Sequence, residues 1–315
     1  MVSRRLIRVK SFQILYSQFS KNEIDFIDSY KELNKSISKT QDLFFLILRL
    51  IVDVKDLALE KSEIKKQKKL ATTDDLNPKT NFFSNSIITK IEENKQYKRF
   101  QELSLNWNEH RTIIEKVYQS LLSSDKYQDY LNKIEPTFKD DKQIINFLIE
   151  ELIAGQSEII DTLEEISIYW TEDFEFVLNN VLKLVRTIKS NDSEERIYSS
   201  VYKNDDDKQF AYDLLKFVLQ EKENYEELIE KHAKNWEVDR LIQVDVLLMQ
   251  MALAELINMP SIPIKVSLDE YIELSKYYSS LKSKVFINGI LDKIIIELKE
   301  KGSISKKGRG LIGQV

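Results

Sequence analysis

The sequence contains no cysteine. Disulfide frameworks, thiolate metal sites and cysteine nucleophiles are therefore excluded. Histidine is nearly as scarce, with only His110 and His232, far apart and outside any HExxH spacing. A zinc site needs at least three protein ligands, so no metal or cofactor is expected. Glycine and proline number 6 and 4 in 315 residues, and Gly302, Gly308, Gly310 and Gly313 crowd the C-terminal end. Hairpins and sheets use such turn residues repeatedly, whereas helices with polar connectors do not. An all-α fold follows. No apolar run approaches the roughly 18 residues of a membrane span. The longest, Leu43 to Leu50, is broken at Arg49 and predicts a buried helix. The basic N-terminus lacks an apolar h-region and a small-residue cleavage site, so a cytoplasmic location is expected. Phosphate-cradling loops, nucleophile elbows and dinucleotide fingerprints are also missing. The many carboxylates form no constellation suggesting a nucleophile or general base, and an enzyme is not expected.

What is present is a folded, charged composition: 42% hydrophobic and 31% charged residues, enough for both a core and a solvated surface. The net charge is −5, which by itself argues against nucleic acid. Its distribution matters more than its sum. Met1 to Asn22 carries Arg4, Arg5, Arg8, Lys10 and Lys21 with no acid, and the last fifteen residues carry Lys301, Lys306, Lys307 and Arg309, again with none. Both ends are basic and the middle is acidic.

Helical periodicity organises the chain. In residues 2–20, Phe12, Leu15, Tyr16 and Phe19 form an apolar stripe, and Arg4 and Arg8 stack one turn apart. These cations crowd the helix N-terminal half, where the dipole disfavours them, which suggests a compensating partner. Helices are predicted over 23–39 and 41–69, an exposed loop over 71–86 around Pro78, and short helices around 86–104, 108–123 and 125–134. Further helices are predicted near 206–221, 223–236, 239–258, 267–279 and 283–300. Ser267 and Glu270 have capping-box spacing, and Ser283 is placed to cap the last helix. Residues 141–182 faintly resemble 207–248, with Trp170 falling on Trp236 and Asp173 on Asp239 at an offset of 66. This is either a duplication or chance agreement between amphipathic helix pairs.

Three stretches carry a family resemblance: WEVDRLIQVDVLLMQMALAEL (236–256), SIPIKVSLDEYIELSKYYS (261–279) and KSKVFINGILDKI (282–294). They resemble, in order, the C-terminal elements of the NusB family of transcription antitermination factors. Residues 206–232 resemble the preceding helix pair, and RRLIRVKSFQILYS at the N-terminus resembles the family's Arg-rich first helix. The resemblance implies a NusB-like helical domain made from a first helix (1–20) and a core (201–300), with a large helical insertion (21–200) and a flexible basic tail (301–315). Residues 21–200 have no placed counterpart in the family.

The resemblance further implies binding of boxA-like single-stranded RNA jointly with ribosomal protein NusE, within an RNA polymerase antitermination complex. Arg4, Arg5 and Arg8 become RNA-binding candidates, because guanidinium forks suit phosphates and base edges. A solvated N-terminal cluster is the plainer alternative, and Lys10 departs from the family pattern. At the start of the last helix, Lys282, Lys284, Phe286 and Asn288 are candidates too: amides there receive phosphate and Phe286 could stack on a base. The plainer alternative makes Phe286 core and the lysines solvated. Gly289 in a helical stretch implies either close helix packing or close approach of RNA. Tyr16 and Glu255 are carried over as NusE-contact candidates, with intramolecular pairing of Glu255 left open, since a buried carboxylate needs a partner. Two rivals remain. One is the NusB-like domain of rRNA cytosine methyltransferases, opposed by the absent cysteine and catalytic domain. The other is a protein-interaction scaffold that binds NusE-like partners without RNA affinity, kept open by the net negative charge.

Overall fold

The computed structural model describes residues 2–21, 25–196, 198, 201–233, 242–280 and 282–307. Its elements are helical throughout. They are α1 (Arg4–Lys21), α2 (Phe26–Lys66), α3 (Thr73–Leu76), α4 (Ser86–Glu93), α5 (Lys95–Gln101), α6 (Arg111–Leu122), α7 (Asp125–Leu131) and α8 (Phe138–Phe147), which continues as a π-helical turn over Leu148–Ile153. Then come α9 (Ser157–Ile166), α10 (Phe174–Thr187), α11 (Asp205–Gln220), α12 (Lys222–Ala233), α13 (Gln243–Asn258), α14 (Ile264–Tyr278) and α15 (Ser283–Glu300). No strand occurs among the described residues; one isolated bridge joins Val2 to Tyr202. The all-α expectation holds, and α15 runs unbroken through Asn288 and Gly289.

Two compact units divide the chain, one over Ser38–Val201 and one formed by Val2–Ile37 with Tyr202–Val315. The discontinuous unit therefore takes in residues 21–37, which the sequence had assigned to the insertion. The two helices predicted over 23–39 and 41–69 are one helix, α2. No glycine or proline interrupts it, and its Thr40 hydroxyl donates to buried Asp173 instead of breaking the helix (2.6 Å).

In the Ser38–Val201 unit the apolar face of α2 is the spine of the core. Trp107 and Trp170 are buried against it, and each indole N–H finds an α2 carbonyl, Leu46 at 2.9 Å and Lys39 at 2.7 Å. A buried indole needs such a partner. Asp141, in the first turn of α8, is buried and accepts from Tyr130 Oη (2.6 Å) and from the Ser86 amide and hydroxyl (2.8 and 2.5 Å). Helix lengths and spacing in α8–α10 repeat in α11–α13 near the offset of 66: residues 138–153, 157–166 and 174–187 against 205–220, 222–233 and 243–258. Asp141 falls on Asp207, and both are buried. Trp236 and Asp239, the other matched positions, lie outside the described residues.

The discontinuous unit is built around α13. Between Asp245 and Glu255 this helix carries no charge, and every residue from Leu247 to Leu256 is buried. A helix apolar all round belongs inside; α1, α11, α12, α14 and α15 all pack on it. Helix α1 is capped by Ser3, whose hydroxyl accepts from the Leu6 amide (3.2 Å). The two predicted caps of later helices differ. Helix α14 begins at Ile264 after Pro263, which is preorganised for a helix start, so Ser267 lies one turn inside and its hydroxyl serves another purpose. Ser283 is the first residue of α15 and does not cap it; its hydroxyl joins those of Ser279 and Ser280, each at 2.8 Å. Of the predicted tail, residues 301–307 are described, and the Lys307 amide donates to the Pro260 carbonyl (2.9 Å).

Glu297 of α15 links to α12 through Lys231 and His232 (both 2.7 Å) and to Lys301 (2.6 Å). The hydrogen bond from Lys231, then those from Lys301 and His232, hold its carboxyl at about 2, below the ordinary 4.5. A depressed acid stabilises the fold above its unfolded-state pKa and loses that effect as pH falls to its folded value. Glu297→Gln should lower the thermal midpoint slightly near neutrality, since exposed ion pairs contribute little. The gap to the parent chain should close between about pH 4.5 and about pH 2 in a series of thermal melts; a gap constant across that range would mean charge is not its origin.

Candidate nucleic-acid interface

The site is best built outward from α13. Glu255 is 0% exposed and would be untenable without donors. Arg8 of α1 supplies a side-on pair, Nε to Oε2 at 2.8 Å and Nη2 to Oε1 at 2.7 Å. From α14, the Ser267 hydroxyl donates at 2.7 Å and the Tyr271 hydroxyl at 3.1 Å. Glu270 stands 3.5 Å from Arg8 Nη1 and lends further negative charge. Burial alone would lower the Arg8 pKa, but the hydrogen bond and charge of Glu255 outweigh it and hold the guanidinium more firmly protonated than usual. Burial, reinforced by the Glu255 charge, pushes the Tyr271 hydroxyl well up, so it remains a donor. Lys306 completes the cluster, donating to the carbonyls of Glu255 (3.2 Å) and Met259 (3.0 Å) at the end of α13. A cation is favoured there by the helix dipole. Burial pushes Lys306 down to about 8, with the Glu255 charge opposing.

The other acid of α13, Asp245, is buried and accepts from Ser279 Oγ (2.5 Å) in the turn before α15. Burial raises its pKa, against hydrogen bonds from Ser279 and Ser283. The two internal carboxylates thus hold α1 and α14 at one end of α13 and the α14–α15 turn at the other.

Three of the candidate side chains are turned inward, and a fourth, Asn288, is paired at the surface. Arg8 is 3% exposed and occupied by Glu255, so its assignment to RNA is corrected to an internal ion pair. Glu255 is corrected likewise, since it has no surface to offer NusE. Phe286 is buried in the α15 core face and presents no ring to a base. Asn288 is half-buried, its amide donating to Asp292 Oδ2 (2.9 Å) one turn on along α15. Lys10, whose role was open, is also buried, with Nζ bonded to Ser36 Oγ at 3.1 Å.

The remaining cations divide into two groups. Arg4 is half-buried; it pairs with Asp207 (2.8 Å) and lies over the Phe210 ring, 5.2 Å from its centroid, tying α1 to α11. Arg5, Lys282 and Lys284 are exposed. Two of them, Arg5 and Lys284, act electrostatically on Glu273 of α14. Its carboxyl is held below the usual range by the hydrogen bond from Lys276, with the charge of Lys276 and then those of Arg5 and Lys284 adding to the effect. Charges from the first turn of α1 and from the start of α15 therefore both act on one carboxylate. Tyr16 is 39% exposed and stacks on Phe12, centroids 5.9 Å apart. Phe12 in turn packs on Tyr278 of α14 at 4.6 Å.

Sequence reasoning missed Asp207, Glu273 and Lys276. Glu273 and Lys276 had a local signal, the i,i+3 spacing of opposite charges. Asp207 had one as well, an acid in a helix first turn. Nothing local tied either acid to the arginines of α1. Among the described residues no group of three His, Asp or Glu is arranged to hold a metal ion, and no helix is long and apolar enough to cross a membrane.

Fold and site together define an all-helical domain around a buried central helix, with exposed cations at the starts of its first and last helices. The NusB family profile matches residues 175–295. The chain is 45% identical over 104 residues to transcription antitermination protein NusB of Salinibacter ruber, covering 33% of this chain and 65% of that one. It is 43% identical over 105 residues to the Chloroherpeton thalassium protein of the same name, covering 33% and 50%. Against that of Desulfatibacillum aliphaticivorans it is 38% identical over 99 residues, covering 31% and 69%. The chain belongs to the NusB family. It spans between half and about two thirds of the length of these curated relatives, and the family match does not reach α1. No solved structure matches it.

Removing one partner of a buried ion pair leaves an uncompensated charge, at a cost of roughly 3–5 kcal/mol. Arg8→Ala should therefore destabilise the domain by about that much in urea unfolding. Arg8→Met with Glu255→Leu should recover most of the loss, because the desolvated charges go together. Arg5→Ala should stay within about 0.5 kcal/mol of the parent. Equal stability of Arg8→Ala and Arg5→Ala would contradict the inward placement of Arg8.

Proposed function

We infer that this chain is a transcription antitermination adaptor, acting in the cytoplasm without chemistry of its own. It binds a boxA-like single-stranded RNA together with ribosomal protein NusE and carries both to elongating RNA polymerase. The observation that carries this reading is that Lys276, paired with Glu273, and the charges of the exposed Arg5 and Lys284 all act on that one acid, with Lys282 exposed two residues before Lys284. Exposed basic side chains near the two ends of the chain thus act on one acid in a protein of net negative charge. Membership of the NusB family supports the same role, as does its likeness to transcription antitermination proteins. In this mechanism phosphate contacts from Arg5, Lys282 and Lys284 supply affinity and position. Specificity comes from splayed bases, as is usual for single-stranded RNA. Glu273 holds the cations in register while no RNA is bound and competes with phosphate for them. Tyr16, exposed on α1, remains the candidate for the NusE contact; Glu255 does not.

The burial of Arg8 and Phe286 favours a second reading, a scaffold that binds NusE-like partners and has no RNA affinity. Titration of labelled boxA-like RNA across a salt series, with and without NusE, separates the two. An RNA binder should lose affinity linearly in log Kd against log salt, with a slope of about 0.7 per phosphate contact. Arg5→Ala and Lys284→Ala should each flatten that slope by about 0.7 while thermal melts stay unchanged. Glu273→Gln should tighten binding by releasing the cations. A chain that binds NusE but not RNA at low salt would establish the scaffold.

A further inference from the structure

Tyr277 is 76% exposed on α14, unusual for an aromatic ring on a helix whose opposite face is core. Its neighbour Tyr278 shows the ordinary alternative, packed on Phe12 with ring centroids 4.6 Å apart. Among the described residues Tyr277 has no ring partner and no hydrogen-bond partner. Its place is specific. It follows Glu273 by four residues on α14, one helical turn along the same face. It also directly follows Lys276, which is paired with that acid. Arg5 and Lys284 act on the same acid from α1 and α15, and α14 packs directly on α15. A bare aromatic face thus stands one turn from a carboxylate that Lys276 pairs and on which the charges of Arg5 and Lys284 also act. Single-strand binders combine these two elements: cations that track phosphates and an aromatic face on which a base lies. Phe286, expected from the sequence to offer that face, is buried in α15.

We propose that Tyr277 is the stacking platform for one unpaired RNA base, set beside the phosphate-binding cations of the same face. The inference rests on the RNA-binding reading above and adds the residue that reads a base. The surroundings commit the occupant: a base brought by a phosphate chain suits an exposed ring bordered by cations, whereas an apolar protein segment would meet charge on this side.

The test uses the full chain and fluorescein-labelled boxA-like RNA, with and without NusE. Tyr277→Ala should raise Kd about tenfold, the scale of losing one stacked base. The slope of log Kd against log salt should not change, because no phosphate contact is lost. Tyr277→Phe should bind like the parent, and Tyr277→Leu like the alanine variant, since the ring face is needed and not apolar bulk. An RNA with a single abasic site at the stacked position should bind the parent as weakly as intact RNA binds Tyr277→Ala, and the two losses should not add. Parent-level affinity in Tyr277→Ala, with normal salt dependence, would overturn the stacking role and leave the RNA-binding reading standing. A loss seen only with NusE present would assign Tyr277 to the protein contact and overturn it as well. Absence of RNA binding by the parent chain would remove both readings together.

Discussion

A carboxylate in the middle of a hydrophobic domain must be matched there or not exist. Glu255 is that group, and much of the unit organises around it. Leaving an isolated ionised acid in a medium of low dielectric costs far more than a domain's net stability. The fold answers with the side-on guanidinium of Arg8, two hydroxyls from α14 and the Lys306 ammonium on the adjoining carbonyls. Each donor comes from a different distance along the chain. One cluster therefore sets where α1 lies, how α14 is rotated and where the chain after α15 passes. An apolar contact tolerates sliding and repacking; a bidentate pair does not. The carboxylate contributes register more than net stability.

That constraint divides the basic residues of the first helix by direction. Arg4 and Arg8, one turn apart, lie over the same Phe210 ring and face acids. Arg5 sits about 100° round the helix from Arg4 and faces solvent. The dipole argument that cations at a helix N-terminus demand a compensating partner was sound, but for Arg4 and Arg8 the partner is internal. The same logic explains the surface left over. Arg8 fixes α1 against α13 and α14, and Asp245 fixes the turn before α15, so the two inner carboxylates set where the exposed Arg5 and Lys284 stand when their charges act on Glu273.

The fold class and most helix bounds were legible because they depend on local properties. Scarce glycine and proline exclude sheets, and periodicity marks helices, to the residue for α15. Helix α13 could be recognised as central from its uncharged, unamphipathic run. Less legible was whatever depends on pairing across the chain. Arg8 and Glu255 are separated by 247 positions, and nothing near either one distinguishes an internal ion pair from a binding residue and an interface acid. Phe286 illustrates the same limit: helical spacing assigns it to the stripe with Ile290, yet the functional resemblance drew it outward. Ser267 and Glu270 had a capping-box spacing but fell inside α14 because Pro263 starts the helix earlier. Ser267 then became a donor to Glu255. Tyr277 was passed over because two consecutive tyrosines on a helix carry no mark of which one faces out.

The Ser38–Val201 unit solves its own version of the problem. Asp141 begins α8 as Asp207 begins α11, each buried in a helix first turn where the dipole favours a carboxylate. Asp141 draws in Tyr130 and Ser86, and Asp207 draws in Arg4. Helix lengths after the two acids agree closely, while the apolar residues between them seldom match. A buried acid at a helix start fixes the helix's axial position through hydrogen bonds of defined length. The apolar face need only keep its spacing to pack. Position and length are therefore the properties this arrangement constrains, and side-chain identity is free to differ, as it does between α8–α10 and α11–α13.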